Sequence, residues 1–159
     1  NQEAVDWFLN EVWPVVISKN KGAKIYLAGR EMPDRYKKLN MNGVHVVGEV
    51  AVAREFYASK KIMVVPLLSG SGMRIKIIEG MAVGKTIVST SIGAVGIHVT
   101  HGKNILIADS AELFAGEILK VLEDDGFCAE LSKNAQELIA NEYNNDVVCA
   151  KLIQFVEQL

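Results

Sequence analysis

Short apolar segments that alternate with amphipathic ones constrain the fold of this chain more than any other feature. Residues 62–66 are almost entirely apolar, as expected of a strand buried on both faces of a sheet. Four more strands are predicted at 24–28, 44–47, 86–90 and 104–107. Helices are predicted at 3–19, 51–58, 73–83, 110–124, 127–142 and 145–158. We therefore expect an α/β domain in which helices cover both faces of a parallel sheet.

The composition limits what such a domain can bind. The chain has 159 residues, enough for one domain, and its net charge is −2. This charge does not favour nucleic acid, whose phosphates need a basic protein face. Acidic residues and Pro14 interrupt residues 1–20, which therefore do not resemble a signal peptide. Cys128 and Cys149 are expected to be reduced thiols, and we predict a cytoplasmic location.

Glycine follows most of the predicted strands. Parallel sheets bind ligands at the carboxyl ends of their strands, and glycine lets the backbone approach a ligand closely. The segments at these positions are Gly29-Arg30, Gly48-Glu49, 69–74 and 91–96. Because these loops should lie at one edge of the sheet, we predict a ligand site there.

The segment 69–74, Ser-Gly-Ser-Gly-Met-Arg, runs directly into a predicted helix. Free amides and the dipole at a helix start attract anions, and Arg74 and Lys76 would add positive charge. Spacing places Gly72, Lys76 and Glu79 on one face of that helix, opposite a predicted core face formed by Ile75, Ile78 and Ala82. A carboxylate one turn beyond a phosphate site can accept hydrogen bonds from two ribose hydroxyls. The pattern equally fits a solvated helix face with an ordinary Lys76–Glu79 pair.

Other site motifs do not fit. A dinucleotide-binding Gly-x-Gly-x-x-Gly motif starting at Gly70 would need glycine where Ile75 stands. Gly84-Lys85-Thr86 resembles the end of a nucleoside-triphosphate loop, but a strand follows it where that motif has a helix. His98 and His101 lie in a glycine-flanked loop without further ligand residues, so we predict no metal site.

Residues 64–97 resemble the donor-site signature of the group 1 (GT4-type) glycosyltransferases. These enzymes have the GT-B architecture, in which two Rossmann-like domains enclose the active site. The resemblance extends over nearly the whole chain, since Asn1–Pro14, Ile25–Arg30 and 102–109 resemble other parts of the family's C-terminal domain. It implies that residues 1–159 are a Rossmann-like donor-binding domain, the C-terminal half of a GT-B protein, truncated at its N-terminus and without the acceptor domain.

The resemblance also implies roles for individual residues. Glu79 would bind the ribose, and Arg74 and Lys76 would be catalytic by stabilising the leaving diphosphate. Ser71 stands where many members carry a second carboxylate, but a subgroup with a Gly-x-Gly-x-Arg-x-Lys loop lacks it as well. The full donor-binding set would be Gly29, Arg30, Gly48, Glu49, Val50, Ser69, Gly70, Ser71, Gly72, Met73, Arg74, Ile75, Lys76 and Glu79.

By resemblance, the parent protein is a retaining, metal-independent, hexosyltransferase-like enzyme that requires no cofactor. It would transfer sugar from a nucleotide-diphosphate sugar, such as a UDP- or GDP-sugar, in bacterial polysaccharide or glycolipid synthesis. The acceptor, a sugar or lipid-linked glycan, would bind the other domain, which could also contact the inner face of the membrane. Two alternatives stay open: a GT-B nucleotide-sugar epimerase domain, and a non-catalytic α/β interaction module.

Overall fold

Two parallel sheets form the centre of the fold in the computed structural model, which describes residues 2–157. Strands β1 (Ile25–Ala28) and β2 (Val44–Gly48) form the first sheet. Strands β3 (Ile62–Val65), β4 (Thr86–Ser89) and β5 (Leu106–Ile107) form the second in that order. The parallel arrangement is confirmed, but the single continuous sheet is not, because β1 pairs only with β2 and β3 only with β4 within the described residues.

Helices connect the strands and follow the last of them. Their bounds are α1 (Gln2–Trp7), α2 (Trp13–Lys19), α3 (Asp34–Lys37), α4 (Ala53–Ala58), α5 (Ile75–Ala82), α6 (Ala111–Glu123), α7 (Asp125–Glu142) and α8 (Asn145–Glu157). A π-helical turn joins α1 to α2, and Pro14 lies in the first turn of α2. Proline has no N–H to continue the preceding helical bonds, which explains the irregularity. The sequence did not predict α3. Residue 158 of the last predicted helix and Asn1 of the segment that resembles the family's first helix lie outside the described residues.

Two hydrophobic clusters cover opposite faces of the three-stranded sheet. In the first, Phe8, Trp13 and Phe114 pack with the inward-facing Ile62 and Val64 of β3. In the second, side chains from α5 and α7 pack against the other face of β3 and β4, and its members include Ile77, Met81, Ile87, Ala135 and Ile139. The side chains of β3 alternate between the clusters, as they must in a strand covered on both sides. Helices on both faces of a parallel sheet are thus confirmed.

The two cysteines differ in their exposure to solvent. Cys128 is buried and Cys149 is exposed, and both are free thiols. Within residues 2–157, no helix has the length and apolarity needed to cross a membrane.

Candidate functional site

The loop between β3 and α5 presents an exposed backbone. Gly70 has a φ of 124° and Gly72 a φ of 79°, both in the left-handed region that side chains disfavour. Residues 69–73 are all exposed. The two glycines therefore shape a turn whose amides can reach a ligand, at the carboxyl end of β3.

Arg74 closes this loop from its C-terminal side. Its backbone is extended (φ −90°, ψ 90°), and it immediately precedes α5. The guanidinium folds over Gly70, where an added methyl group would collide with Nη2, and Nη1 donates a hydrogen bond to the Ser71 carbonyl at 2.8 Å. Its Nε is buried without a partner among the described residues. The positive charge of Arg74 is thus held over residues 69–73, which we call the glycine loop, and its Nη2 can still donate a hydrogen bond to an anion.

Helix α5 differs from the predicted one in its start and in its buried face. It begins at Ile75 rather than at 73, because the two glycines and the extended Arg74 hold the preceding backbone outside helical geometry. Its buried residues are Ile77, Gly80 and Met81, whereas Ile75 is 59% exposed. The predicted core face of Ile75, Ile78 and Ala82 was therefore wrong: Ile78 is half-buried and Ala82 is exposed.

Lys76 and Glu79 lie on the exposed side of α5. With about 100° between successive helical residues, Glu79 lies nearly opposite Ile77 and next to Ile75. No ion pair within 4.0 Å joins Lys76 to Glu79 among the ion pairs of the described residues. This geometry does not support the alternative in which the two residues form an ordinary surface pair, and it leaves both side chains able to bind a ligand.

The loop after β4 braces the segment between β3 and α5, and the loop after β5 bonds in turn to the loop after β4. Thr90, which directly follows β4, donates a hydrogen bond from Oγ1 to the Leu67 carbonyl and accepts one from the Gly93 amide at 3.1 Å. The backbone at Gly96 lies against Met73. Sequence reasoning missed Thr90, although its position at the carboxyl end of a strand was a usable signal. Asp109, after β5, accepts hydrogen bonds from the Ser91 N–H and hydroxyl at 2.8 and 2.9 Å.

The loops after β1 and β2 form a separate group. The Gly29 amide donates to the Gly48 carbonyl at 2.8 Å, and Arg30 Nε lies 3.0 Å from Glu49 Oε1. The Arg30 and Glu49 side chains are 84% and 62% exposed, so this ion pair adds little stability. Val50 is half-buried beside them. Within the described residues, no hydrogen bond or ion pair connects this group to the glycine loop.

Two other contacts tie α5 and the glycine loop to α4 and α1, and the sequence indicated neither. Helix α4 contacts α5, and burial and then the negative charge of Glu79 raise the pKa of the Tyr57 hydroxyl near the end of α4. Ser69 donates a hydrogen bond from Oγ to Glu3 Oε2 at 3.2 Å, which ties the loop to α1. Tyr57 and Lys76 also line a cavity between β1 and β3. Lys76 therefore reaches this cavity from the first turn of α5.

A sequence model described as glycosyl transferases group 1 matches residues 1–124. The chain belongs to this family. A curated relative, an uncharacterized 44.6 kDa protein in the cps region of Klebsiella pneumoniae, is 26% identical over 163 residues. The alignment covers 97% of this chain and 42% of that protein, so the chain spans less than half of the relative's length.

Solved glycosyltransferases share the fold. HepE from Anabaena, in a complex with UDP, matches with a TM-score of 0.81 at 18% identity, over 96% of this chain and 46% of HepE. TarM from S. aureus matches at 0.82 and 20% identity, over 95% and 32%. The C-terminal domain of the group 1 family protein LpcC from Francisella tularensis matches at 0.75 and 17% identity, over 91% and 82%. The predicted fold, the C-terminal half of a GT-B architecture, is confirmed.

Among residues 2–157 of this group 1 chain, no three His, Cys, Asp or Glu side chains lie close enough together to hold a metal ion. The two loop histidines have other contacts. His98 Nδ1 lies 2.8 Å from Glu142 Oε2, and His101 Nδ1 accepts a hydrogen bond from the Ile107 amide at 2.9 Å.

Gly70→Ala is expected to disturb the glycine loop of this group 1 domain. A side chain at a φ of 124° is strained, and its methyl group would displace the Arg74 guanidinium. We expect the free energy of unfolding to fall by about 1–3 kcal/mol. Urea unfolding would measure this change.

The matched control is Gly116→Ala in α6, where no atom lies within 4 Å of the added methyl group. Because alanine favours a helix over glycine by about 0.5–1 kcal/mol, this variant should not lose stability. Equal stability of Gly70→Ala and the wild type would contradict the assigned loop geometry.

Proposed function

We propose that this chain is the donor-binding domain of a retaining, metal-independent glycosyltransferase that uses a nucleotide-diphosphate sugar. The observation that carries the proposal is the exposed two-glycine loop, closed by Arg74 and followed directly by α5, with Glu79 on the exposed side of that helix. These groups provide contacts for a diphosphate and, one turn further along, for a ribose.

The diphosphate would bind between the loop and the first turn of α5. The first amides of a helix have no carbonyl partner within the helix, and the helix dipole places partial positive charge there. Arg74 and Lys76 add two full charges next to these amides. When the sugar leaves, negative charge grows on the diphosphate, and groups that stabilise it more strongly at that stage lower the barrier. A magnesium ion, which would otherwise neutralise this charge, is then not required.

The ribose and base would extend from Glu79 towards the loop after β2. A carboxylate can accept hydrogen bonds from both ribose hydroxyls, and its position opposite the buried face of α5 keeps it available. Gly48, Glu49 and Val50 would then meet the base, and Gly29 and Arg30 would line the adjacent edge. HepE, whose fold this chain shares, is known in complexes with UDP and with UDP-glucose, which supports a uridine nucleotide as the first ligand to test.

The acceptor would be bound by another part of the proposed enzyme, and a relative indicates the pathway in which the enzyme acts. This chain spans 42% of its curated relative, so the acceptor, a sugar or lipid-linked glycan, would bind a further domain. That relative comes from the cps region of a bacterium, which supports a role in bacterial polysaccharide or glycolipid synthesis. We place the enzyme in the cytoplasm, with any contact to the inner membrane face made through that further domain.

Glu79→Ala is expected to weaken UDP or GDP binding by about 1–3 kcal/mol, because the ribose loses a charged hydrogen-bond acceptor. The fold should survive, since Glu79 is exposed. Calorimetric titration with both nucleotides measures the loss and shows which base is preferred. Glu130→Ala, an exposed carboxylate on α7, is the control and should bind as the wild type does. Unchanged affinity in Glu79→Ala would remove this residue from the site, and no binding by the wild type would favour an interaction module.

Sugar transfer by the full-length protein is expected to continue at an unchanged rate after metal removal. The cations and helix amides already neutralise the diphosphate in the proposed site. The rate of release of the nucleoside diphosphate would be compared in excess EDTA and in millimolar MgCl₂. An EDTA-sensitive rate that magnesium restores would contradict metal independence, and interconversion of two nucleotide sugars without transfer would identify an epimerase instead.

A further inference from the structure

Thr90 joins the two loops that lie on either side of the start of α5. It directly follows β4 and is buried, with 2% of its surface exposed. Its Oγ1 donates a hydrogen bond to the Leu67 carbonyl, in the segment that leads from β3 into the glycine loop. The same oxygen accepts a hydrogen bond from the Gly93 amide at 3.1 Å, in the loop after β4. One buried hydroxyl therefore holds both loops.

The chemistry of the two partners fixes the direction of both bonds. A hydroxyl has one proton to donate and two lone pairs with which to accept. A carbonyl only accepts and a backbone amide only donates, so the Thr90 proton points to Leu67 and a lone pair points to Gly93. Donating and accepting at once polarises the hydroxyl and strengthens both bonds. Serine can form the same two bonds, whereas valine, which has nearly the same shape as threonine, can form neither.

The loop after β4 also packs closely against its neighbours at both of its ends. A methyl group added at Gly93 would collide with Ser89 Oγ and lie 3.1 Å from the Val65 carbonyl at the end of β3. A methyl group added at Gly96 would lie 3.5 Å from Met73 Cβ, in the glycine loop. Because the loop after β4 touches the end of β3 and the glycine loop, a shift of either loop would displace the other.

We propose that Thr90 is a positioning residue for the diphosphate of the donor. Its hydroxyl would set the position of the glycine loop, and through that loop the direction of the amides before α5 and of the Arg74 guanidinium, which is bonded to Ser71. Thr90 would not touch the ligand itself, because it is buried between the loops that it joins. Hydrogen-bond donors that are held in place before binding need no reorganisation when they meet an anion. Loss of the Thr90 hydroxyl should therefore weaken binding although no contact to the ligand is removed. This inference rests on the proposed function, since it concerns how the same site is held in shape.

Thr86 provides a matched control at the other end of the same strand. It is also buried, with 1% of its surface exposed, and its Oγ1 donates a hydrogen bond to the Cys128 carbonyl at 2.7 Å. β4 begins at Thr86 and Thr90 follows its last residue, so the two hydroxyls lie at opposite ends of the strand. Replacing either threonine by valine leaves a buried carbonyl without its partner, so both variants should lose stability. Only the change at Thr90 should disturb the glycine loop.

Ligand affinities of the full-length protein separate a positioning role from a general loss of stability. We expect Thr90→Val to weaken binding of the preferred nucleoside diphosphate, UDP or GDP, by about tenfold, the effect of one lost buried hydrogen bond. Affinity for the matching nucleoside should change by less than about threefold, because the glycine loop faces the phosphates. Thr90→Ser, which keeps both bonds, and Thr86→Val should each bind the diphosphate within about threefold of the wild type. Calorimetric titration measures the affinities, and urea unfolding measures the stability of each variant.

Two results would overturn the positioning role. One is a Thr90→Val protein that binds the diphosphate as tightly as Thr86→Val does. The other is an equal loss of affinity for the diphosphate and the nucleoside, which would mean that the hydroxyl only supports the fold. If valine at position 90 prevents folding, Thr90→Ala and Thr86→Ala replace the valine pair, because water can fill the space of the lost hydroxyl, and the same selective loss is expected.

The test also distinguishes this inference from the proposed function. If the wild type binds the diphosphate and Glu79→Ala weakens that binding, but the changes at Thr90 do not, only the positioning role fails. A folded wild type that binds neither UDP nor GDP would overturn both the proposed function and the role of Thr90.

Discussion

The 159-residue chain by itself is expected to bind nucleotide but to transfer no sugar. A two-domain active site is completed when both domains close over the donor, which positions the acceptor and excludes water. In the proposed enzyme, this chain provides one wall of such a cleft. Around the glycine loop, apolar side chains are open to solvent: Met73 is 42%, Val95 52% and Ile75 59% exposed. This open surface fits a face that a second domain would cover.

Among residues 2–157, we identify no convincing activator of the acceptor. Histidine commonly acts as a general base, which makes His45 the first residue to consider. In the structure, it lies on β2 and stacks on Tyr26 with ring centroids 5.0 Å apart. That position gives it a packing role on the sheet. The group that activates the acceptor is therefore expected in the other domain.

The measurement is the release of nucleoside diphosphate from UDP- and GDP-sugars in the presence of simple sugar and lipid-linked acceptors. The purified chain should release no more than a heat-killed control, while the full-length protein should turn over steadily. Titration with UDP confirms that the chain is folded and competent to bind. Acceptor-dependent turnover by the chain alone would show that it carries a complete active site.

Arg74→Ala in the full-length protein is expected to lower kcat by about 10²–10³, the effect of removing one donor that stabilises charge in a transition state. Two features of Arg74 support this size of effect. Its guanidinium is fixed over the glycine loop by the bond to the Ser71 carbonyl, so little reorganisation is needed when charge develops. Its extended backbone also frees it from the helical geometry that would direct it and Lys76 to different sides.

Matched variants separate a phosphate contact from a loss of loop structure. Arg74→Lys keeps the charge but not the planar fork, so it should recover part of the activity. Arg54→Ala removes an exposed arginine on α4 and should behave as the wild type. Affinity for UDP should fall more than affinity for uridine in Arg74→Ala. Equal losses for both ligands would show that Arg74 supports the loop without touching phosphate.

Local sequence patterns determined the strands and the position of the site. Short, mainly apolar segments marked each strand within two residues of its observed bounds, and the signal is continuous in β3, which is covered on both faces. The glycines at 70 and 72 marked the loop because their backbone conformation excludes most other residues. Helix α3, with four residues, is too short to show a helical period and was missed.

Tertiary contacts decided the features that depend on residues far apart in the chain. The buried face of α5 is Ile77, Gly80 and Met81, because these residues pack against Met63 and Ile87, and the apolar Ile75 remains exposed. Apolar spacing alone could not distinguish a side chain packed on the sheet from one at the open edge of the site.

The hydrogen bond from Thr90 to the Leu67 carbonyl and the cavity between β1 and β3 also depend on residues far apart in the chain, so local patterns could not predict them. Local patterns determine which segments become strands, but strand pairing joins distant segments, so only the packed structure shows that β1 pairs with β2 and β3 with β4.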